Sequence, residues 1–226
     1  MSRAGVASEG LEGSLLNTIP NPEALLLAAK NLLGGDKVDV VAVDIPIANV
    51  PILGRRVADN KISSVFGANW CGTHSPSHNR PGEVGTRISG GFCQLGYHLA
   101  TAEGRAGDTS KLIEVFPHVA LLKLLGVNSR VPYKVGKSKK YWPDAKLQAR
   151  KELLLIELAR ILQVLRTEIC KIALELPAPS RVESLSNLKP FEDAIDAIVC
   201  AWVGVSYVRK KARAYGDHTA AIWVPE

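Results

Sequence analysis

The sequence predicts a single α/β domain, a sheet flanked by helices, and three observations lead there. The run VDVVAV at residues 38–43 is continuous and β-branched, the pattern of a strand covered on both faces. Residues 144–175 carry Leu147, Leu154, Leu158, Ile161, Leu165 and Ile169 at helical spacing. Helix-like and strand-like segments alternate along the chain instead of falling into separate blocks.

In order, Asn21 and Pro22 supply a capping side chain followed by proline at the first helical position, and ALLLAAKNLL extends the helix until Gly34 and Gly35 stop it. The strand VDVVAV follows; Pro46 ends it just beyond Asp44, and its continuous apolar character marks it as central. Residues 54–91 are rich in Gly, Pro, Ser, Asn, His and Arg with little periodicity and read as a long loop or lid within the domain, with a helix after it running through Leu99. KLIEVFP is a second strand ended by Pro117, and VALLKLLG a short helix stopped by Gly126. The long helical pattern comes next. A last helix spans about 190–213, and AAIWV adds a terminal strand.

Composition sets the class. The 226 residues are 46% hydrophobic and 22% charged, which suits one globular domain. The longest apolar stretch, Ile195 to Val208, is interrupted by Gly204 and Ser206 and falls short of the ~20 residues of a membrane span. The opening MSRAGVASEGLEG has no charged region leading into an apolar run, so the expected location is the cytoplasm. Cys71, Cys93, Cys170 and Cys200 are irregularly spaced, which suits reduced thiols, with Cys200 in the core. A net charge of +6 favours an anionic partner.

The chemistry concentrates in carboxylates at the ends of apolar elements. Asp44 closes the first strand, Glu114 sits in the second, and Asp193 and Asp196, three apart, share one face of the last helix, where Ala194, Ala197 and Ala201 allow close approach to the sheet. Buried carboxylates raise one another's pKa, and a divalent cation compensates them. Hard oxygen ligands select Mg²⁺ or Mn²⁺, and two such ions about 4 Å apart serve phosphoester cleavage. Taken singly, each acid also has an ordinary structural use: Asp44 in a turn before proline, Asp193 near a helix start.

Taken together, VAVDIPI with Asp44, GRRVAD with Asp59, IEVFPH with Glu114 and His118, the pair Tyr133 and Lys134, and FEDAIDAIVCAW with Asp193 and Asp196 resemble the predicted RNase H-like nucleases catalogued as domain of unknown function 429. The resemblance covers residues 20–226. It implies an RNase H-like mixed sheet flanked by helices and a metal-dependent nuclease. Asp44 and Asp196 would be metal ligands, Asp193 and Glu114 would assist catalysis, and Asp59 would be a weaker addition. One departure stands out: members open with an AGVDG-like strand, whereas here AGVASEG places Ala7 and Ser8 where its aspartate belongs. The first strand is therefore expected to be missing or degenerate, which keeps open a catalytically inactive nucleic-acid-binding protein on the same fold.

Three further segments carry chemistry. Lys134, Lys137, Lys139 and Lys140, with Tyr141 and Trp142, combine cations for phosphates with aromatic faces for bases, a strip suited to single-stranded nucleic acid or simply a solvated lysine loop. Cys71, His74 and His78 have the spacing of a zinc half-site without a second half at finger spacing. His118 suits a proton shuttle, or a hydrogen bond to a nearby carboxylate. The apolar face of the long helix leaves room for a homodimer.

Overall fold

The computed structural model describes residues 21–77, 79–80 and 82–226; the expected degenerate opening and His78 lie outside them. Helix α1 (Pro22–Leu32) starts as its sequence dictates, with the Asn21 side chain accepting from the Glu23 N–H at 2.9 Å and Pro22 at the first position, and it stops at Gly34 and Gly35, both at positive φ. Strand β1 (Val40–Val43) follows, then α2 (Val57–Phe66), a 3₁₀ turn (Gly67–Asn69) and α3 (Glu83–Gln94). Strands β2 (His98–Leu99) and β3 (Lys111–Glu114) lead to α4 (Pro117–Leu125), the four-residue α5 (Ser138–Tyr141) and the long α6 (Leu147–Glu168). Helix α7 (Lys189–Val208) precedes the hairpin of β4 (Ala212–Gly216) and β5 (Ala221–Pro225).

The sheet is mixed, in the order β1-β3-β5-β4. Strands β1 and β3 pair in parallel from Val40↔Lys111 to Val43↔Glu114; β2 joins the start of β3 and β5 its end, both in parallel, while β4 runs antiparallel to β5. The alternation of side chains across each strand sorts two layers. Val40, Ala42, Ile113 and Trp223 face α6 and α7, whose Leu158, Ile161, Leu165, Ile195, Val199 and Val203 complete the main core. On the other face Val41, Val43 and Leu112 meet Leu26, Ile88 and Phe92 from α1 and α3, and Ile222 and Val224 meet Ala58, Ile62 and Phe66 from α2.

Several expectations change. The segment 54–91 is not an open loop: α2, the 3₁₀ turn and most of α3 occupy it, because Ala58, Ile62 and Phe66 at four-residue spacing are enough to seat α2 on the hairpin. Strand β1 is not central; among the described residues it pairs with β3 alone, and all four of its residues are half-buried. Helix α3 ends at Gln94, so His98 and Leu99 form β2, and α7 ends at Val208, which frees Ala212–Gly216 to pair as β4. The long helix is shorter than its apolar pattern, and its stripe is consumed inside the fold: Leu154, Leu158, Ile161 and Leu165 are fully covered, while Leu147 and Ile156 are exposed. No helix among the described residues is long and apolar enough to cross a membrane.

Candidate metal centre

The carboxyl ends of β1 and β3 point the same way because the strands are parallel, and both end in acids. Their environments differ completely. Glu114 is 3% exposed, and both its oxygens are taken: Arg56 Nη1 donates to Oε2 at 2.6 Å, Arg56 Nη2 to Oε1 at 2.7 Å, and the Ile47 N–H to Oε2 at 3.0 Å. The same guanidinium grips Asp59 through Nε and Nη2, each at 3.0 Å, and donates to the Ile47 carbonyl at 2.7 Å. All five of its N–H groups are thereby satisfied. Burial pushes the Glu114 carboxyl up while Arg56 pulls it down; burial likewise opposes the Arg56 charge, but Glu114 and Asp59 hold that charge more firmly than in water. Two bidentate contacts select the ionised state. Neither Glu114 nor Asp59 has an oxygen to spare for a metal, so this arrangement fixes the turn after β1.

Asp44 follows β1 directly and is exposed on its open side, with no hydrogen bond or ion pair among the described residues. The protein around it still pushes its carboxyl up to about 7, first by desolvation and then by the charge of Asp196, against the pull of Lys134. Its solvent-facing side tempers the desolvation.

The other acids come from α7, which packs across β1 with Gly204 3.8 Å from the Ala42 side chain at the position an added Cβ would take. One turn earlier lies the buried Cys200, and one turn before that Asp196, so the helix runs back along β1 toward its carboxyl end. The Cys200 thiol is pushed well up by burial and then by Asp44 and Asp196 together, which places it in the field of both. Gly204 and Cys200 make the close approach; Ala197, expected there, is exposed.

Asp196 is buried. Its Oδ1 accepts from the Tyr133 hydroxyl at 2.6 Å and its Oδ2 from Lys134 Nζ. Burial raises its pKa, and Lys134 and Tyr133 oppose the rise. Glu192, at 3% exposure, accepts from the Val135 N–H at 2.6 Å and from Lys189 Nζ at 2.9 Å, and stands 3.4 Å from Lys134 Nζ. Asp193 is exposed and held by Lys189. Glu192, Asp193 and Asp196 offer oxygens that all lie within 4.8 Å of one another and could together hold a metal ion. Sequence reasoning missed Glu192, although it stands four residues before Asp196 on the same helix face.

The structure brings Asp44, Asp193 and Asp196 into one region with Glu192, whereas Glu114, whose charge still reaches Asp44, has both oxygens held by Arg56. Of the nucleic-acid strip, Lys134 is drawn into the acids, Lys137, Lys139 and Lys140 are exposed, and Tyr141 and Trp142 are half-buried. Trp142 packs against the cluster of Val135, Leu154 and Leu188, so the expected open aromatic face is largely spent on packing. Cys71 is fully buried, its Sγ donates to the His118 carbonyl at 3.6 Å, and burial pushes its thiol up to about 11. His118 meets Arg130, not a carboxylate.

A family model described as "Protein of unknown function (DUF429)" matches residues 24–220. No curated protein and no solved structure matches the chain.

Proposed function

The chain belongs to the DUF429 family, and from the site we propose a divalent-metal-dependent nuclease of RNase H-like architecture that hydrolyses phosphodiester bonds in nucleic acid. The observation that carries this reading is the convergence of a strand-end carboxylate, Asp44, with the α7 acids around Asp196 at the carboxyl end of a parallel strand pair, the usual place for ligands in α/β sheets. The donor set fits Mg²⁺ or Mn²⁺: hard carboxylate oxygens, within 4.8 Å of one another on α7. Four carboxylates, Asp44, Glu192, Asp193 and Asp196, face two ammonium groups, Lys134 and Lys189. The formal deficit of two positive charges equals one divalent ion, so the balance supports a single ion where the sequence suggested two.

Asp44 and Asp196 would hold the ion with Glu192, and Asp193 stands at the exposed rim. When bound, such an ion lowers the pKa of a coordinated water and stabilises the departing oxyanion. The chain's own contribution is to orient Asp196 through the Tyr133 hydroxyl, to fix Glu192 through the Val135 N–H, and to present Lys134 and the exposed lysines of α5 and its approach to the phosphate backbone.

One observation favours a second reading, a protein that binds nucleic acid without cutting it. Lys134 sits on Asp196 and close to Glu192, so it already neutralises part of the cluster. The experiment that separates the two is cleavage of labelled single-stranded, duplex, hybrid and branched nucleic acids with Mn²⁺, Mg²⁺ or EDTA, wild type beside Asp196→Asn. Metal-dependent cutting lost in the variant supports the nuclease. Salt-sensitive binding with no cutting under any metal supports the second reading.

A further inference from the structure

The aromatic faces expected at Tyr141 and Trp142 are half-buried, but one aromatic side chain elsewhere is not. Trp70 is 76% exposed, and among the described residues no other tryptophan, tyrosine or phenylalanine is exposed. It ends the 3₁₀ turn Gly67–Asn69 in the left-handed region, at φ 61° and ψ 22°. A helix end of this kind is the ordinary place for glycine, because a Cβ there crowds the following carbonyl. Here the position carries the bulkiest side chain, and that side chain joins none of the hydrophobic clusters. Core packing therefore gives no reason for a tryptophan.

The backbone under the ring is firmly held. The Trp70 N–H donates to the Gly67 carbonyl at 2.9 Å, the Arg130 N–H to the Asn69 carbonyl at 2.9 Å, and Asn69 Nδ2 to the Asn128 carbonyl at 2.7 Å. The next residue, Cys71, is fully buried. The surroundings are cationic. Arg130 Nη1 donates to the Trp70 carbonyl at 3.4 Å, its Nη2 meets His118, and the Tyr141 hydroxyl sits beside the same guanidinium. Arg130 thus links Trp70 to α5, where Lys139 and Lys140 are exposed, with Lys137 just before them. Burial, followed by Arg130, Lys134 and His74, drives the His118 pKa down to about 2, so the imidazole adds no charge to a region that is already positive. His118 and Tyr133, edge-on with centroids 5.6 Å apart, continue the same line of contacts to Asp196.

A flat, exposed ring on a fixed backbone beside cations matches a polyanion that carries flat bases. In a duplex each base face is covered by its neighbours, so only an unpaired strand offers one for stacking. We infer that Trp70 is a stacking platform for one base of a single-stranded segment, whose phosphates lead toward the exposed lysines of α5. This deepens the nucleic-acid reading above and rests on it.

The test uses the whole chain in EDTA, titrated with a labelled single-stranded oligonucleotide and with the duplex of the same sequence, and followed by anisotropy and by tryptophan emission. Trp202 and Trp223 are buried and Trp142 is half-buried, so quenching by a stacked base reports on Trp70. Wild type should bind the single strand with quenching. Trp70→Gly, which suits the left-handed backbone and should melt no lower than wild type, should lose the quenching and bind the single strand about tenfold more weakly. Trp70→Asn, also at ease in that backbone, should repeat the loss, while Trp70→Phe keeps a stacking face and should lose less than about threefold. Duplex binding should change by less than about twofold in all three, and Leu53→Ala, at a site 80% exposed, should alter nothing. No binding of the single strand, single-strand binding that survives Trp70→Gly, an equal loss for duplex, or sedimentation in which Trp70→Gly instead dissociates a dimer would each overturn the platform. Trp70-dependent binding by a protein that cuts nothing with any metal would keep the platform and end the nuclease reading. Metal-dependent cutting of a single strand with unchanged KM in Trp70→Gly would keep the nuclease and end the platform.

Discussion

Two groups of carboxylates lie at the same end of this sheet, one wholly buried and one partly exposed, and they are completed in opposite ways. Glu114 and Asp59 share a guanidinium whose five donors are all engaged, while Asp44, Glu192, Asp193 and Asp196 face two flexible ammonium groups and one of them, Asp44, makes no hydrogen bond or ion pair among the described residues. A planar fork satisfies a fixed pair of carboxylates and cannot be dislodged without leaving charge stranded; a lysine is a point charge on a mobile stem, which another cation replaces without remodelling the backbone. The difference separates an ion pair that shapes the turn after β1 from the cluster to which the proposed function assigns an ion.

The comparison breaks most sharply at Asp196. Asp196→Asn should lower metal-dependent cleavage by at least about a hundredfold while leaving the thermal melt within a few degrees of wild type, since the amide keeps one acceptor oxygen for Lys134 and the Tyr133 hydroxyl can turn to accept from its NH2 group. Initial rates beside a melting curve check both halves, and full activity in the variant would end the assignment. Glu114→Gln should do the opposite, costing about 3–5 kcal/mol of stability by stranding part of the Arg56 charge. Urea unfolding measures this, and a loss below about 1 kcal/mol would remove the distinction between the two groups.

Lys134→Met sharpens the contrast at lower amplitude. Removing the cation that sits on Asp196 should tighten Mn²⁺ binding about tenfold or more, because the ion no longer competes with an ammonium group. Calorimetric titration reads it, and weaker binding would mean that Lys134 supports the ion instead.

The smallest effects are slopes with pH in metal-free protein. Unfolded His118 takes a proton near 6.5 and folded His118 only near 2, so its contribution is full above pH 6.5 and declines below it, by up to about 1.4 kcal/mol per unit. Asp44 runs the other way. Its folded pKa is raised to about 7, so its contribution is full below about pH 4 and is lost as pH rises through 7. Urea melts from pH 5 to 8 should therefore show a shallower decline toward neutrality in Asp44→Asn than in wild type; equal slopes would show that Asp44 titrates normally.

Helices α1, α4 and α7 and strands β1 and β3 were legible because local chemistry specifies them: Asn21 with Pro22, Pro117 with Gly126, and unbroken apolar runs. Strands β2 and β4 were not, since two residues in one case and ARAYG in the other become strands only through what they pair with. Asp44 and Asp196 could be singled out because their acid type and place at element ends are sequence properties. The fate of Glu114 could not be read this way, for it depends on an arginine 58 residues away. Nor could the edge position of β1, because a continuous β-branched run reports two covered faces and is silent about who sits alongside.

That edge position has a dynamic consequence. Asp44 is mounted on a strand whose backbone is tied along one side only among the described residues, while β3, between two neighbours, is tied along both. Amide hydrogens of β1 should exchange faster than those of β3, and Asp44 should breathe with them. The acids of α7 sit on a helix packed to the main core and stay put. An ion held by Asp44 and Asp196 would therefore slow exchange in β1 by tying its end to α7.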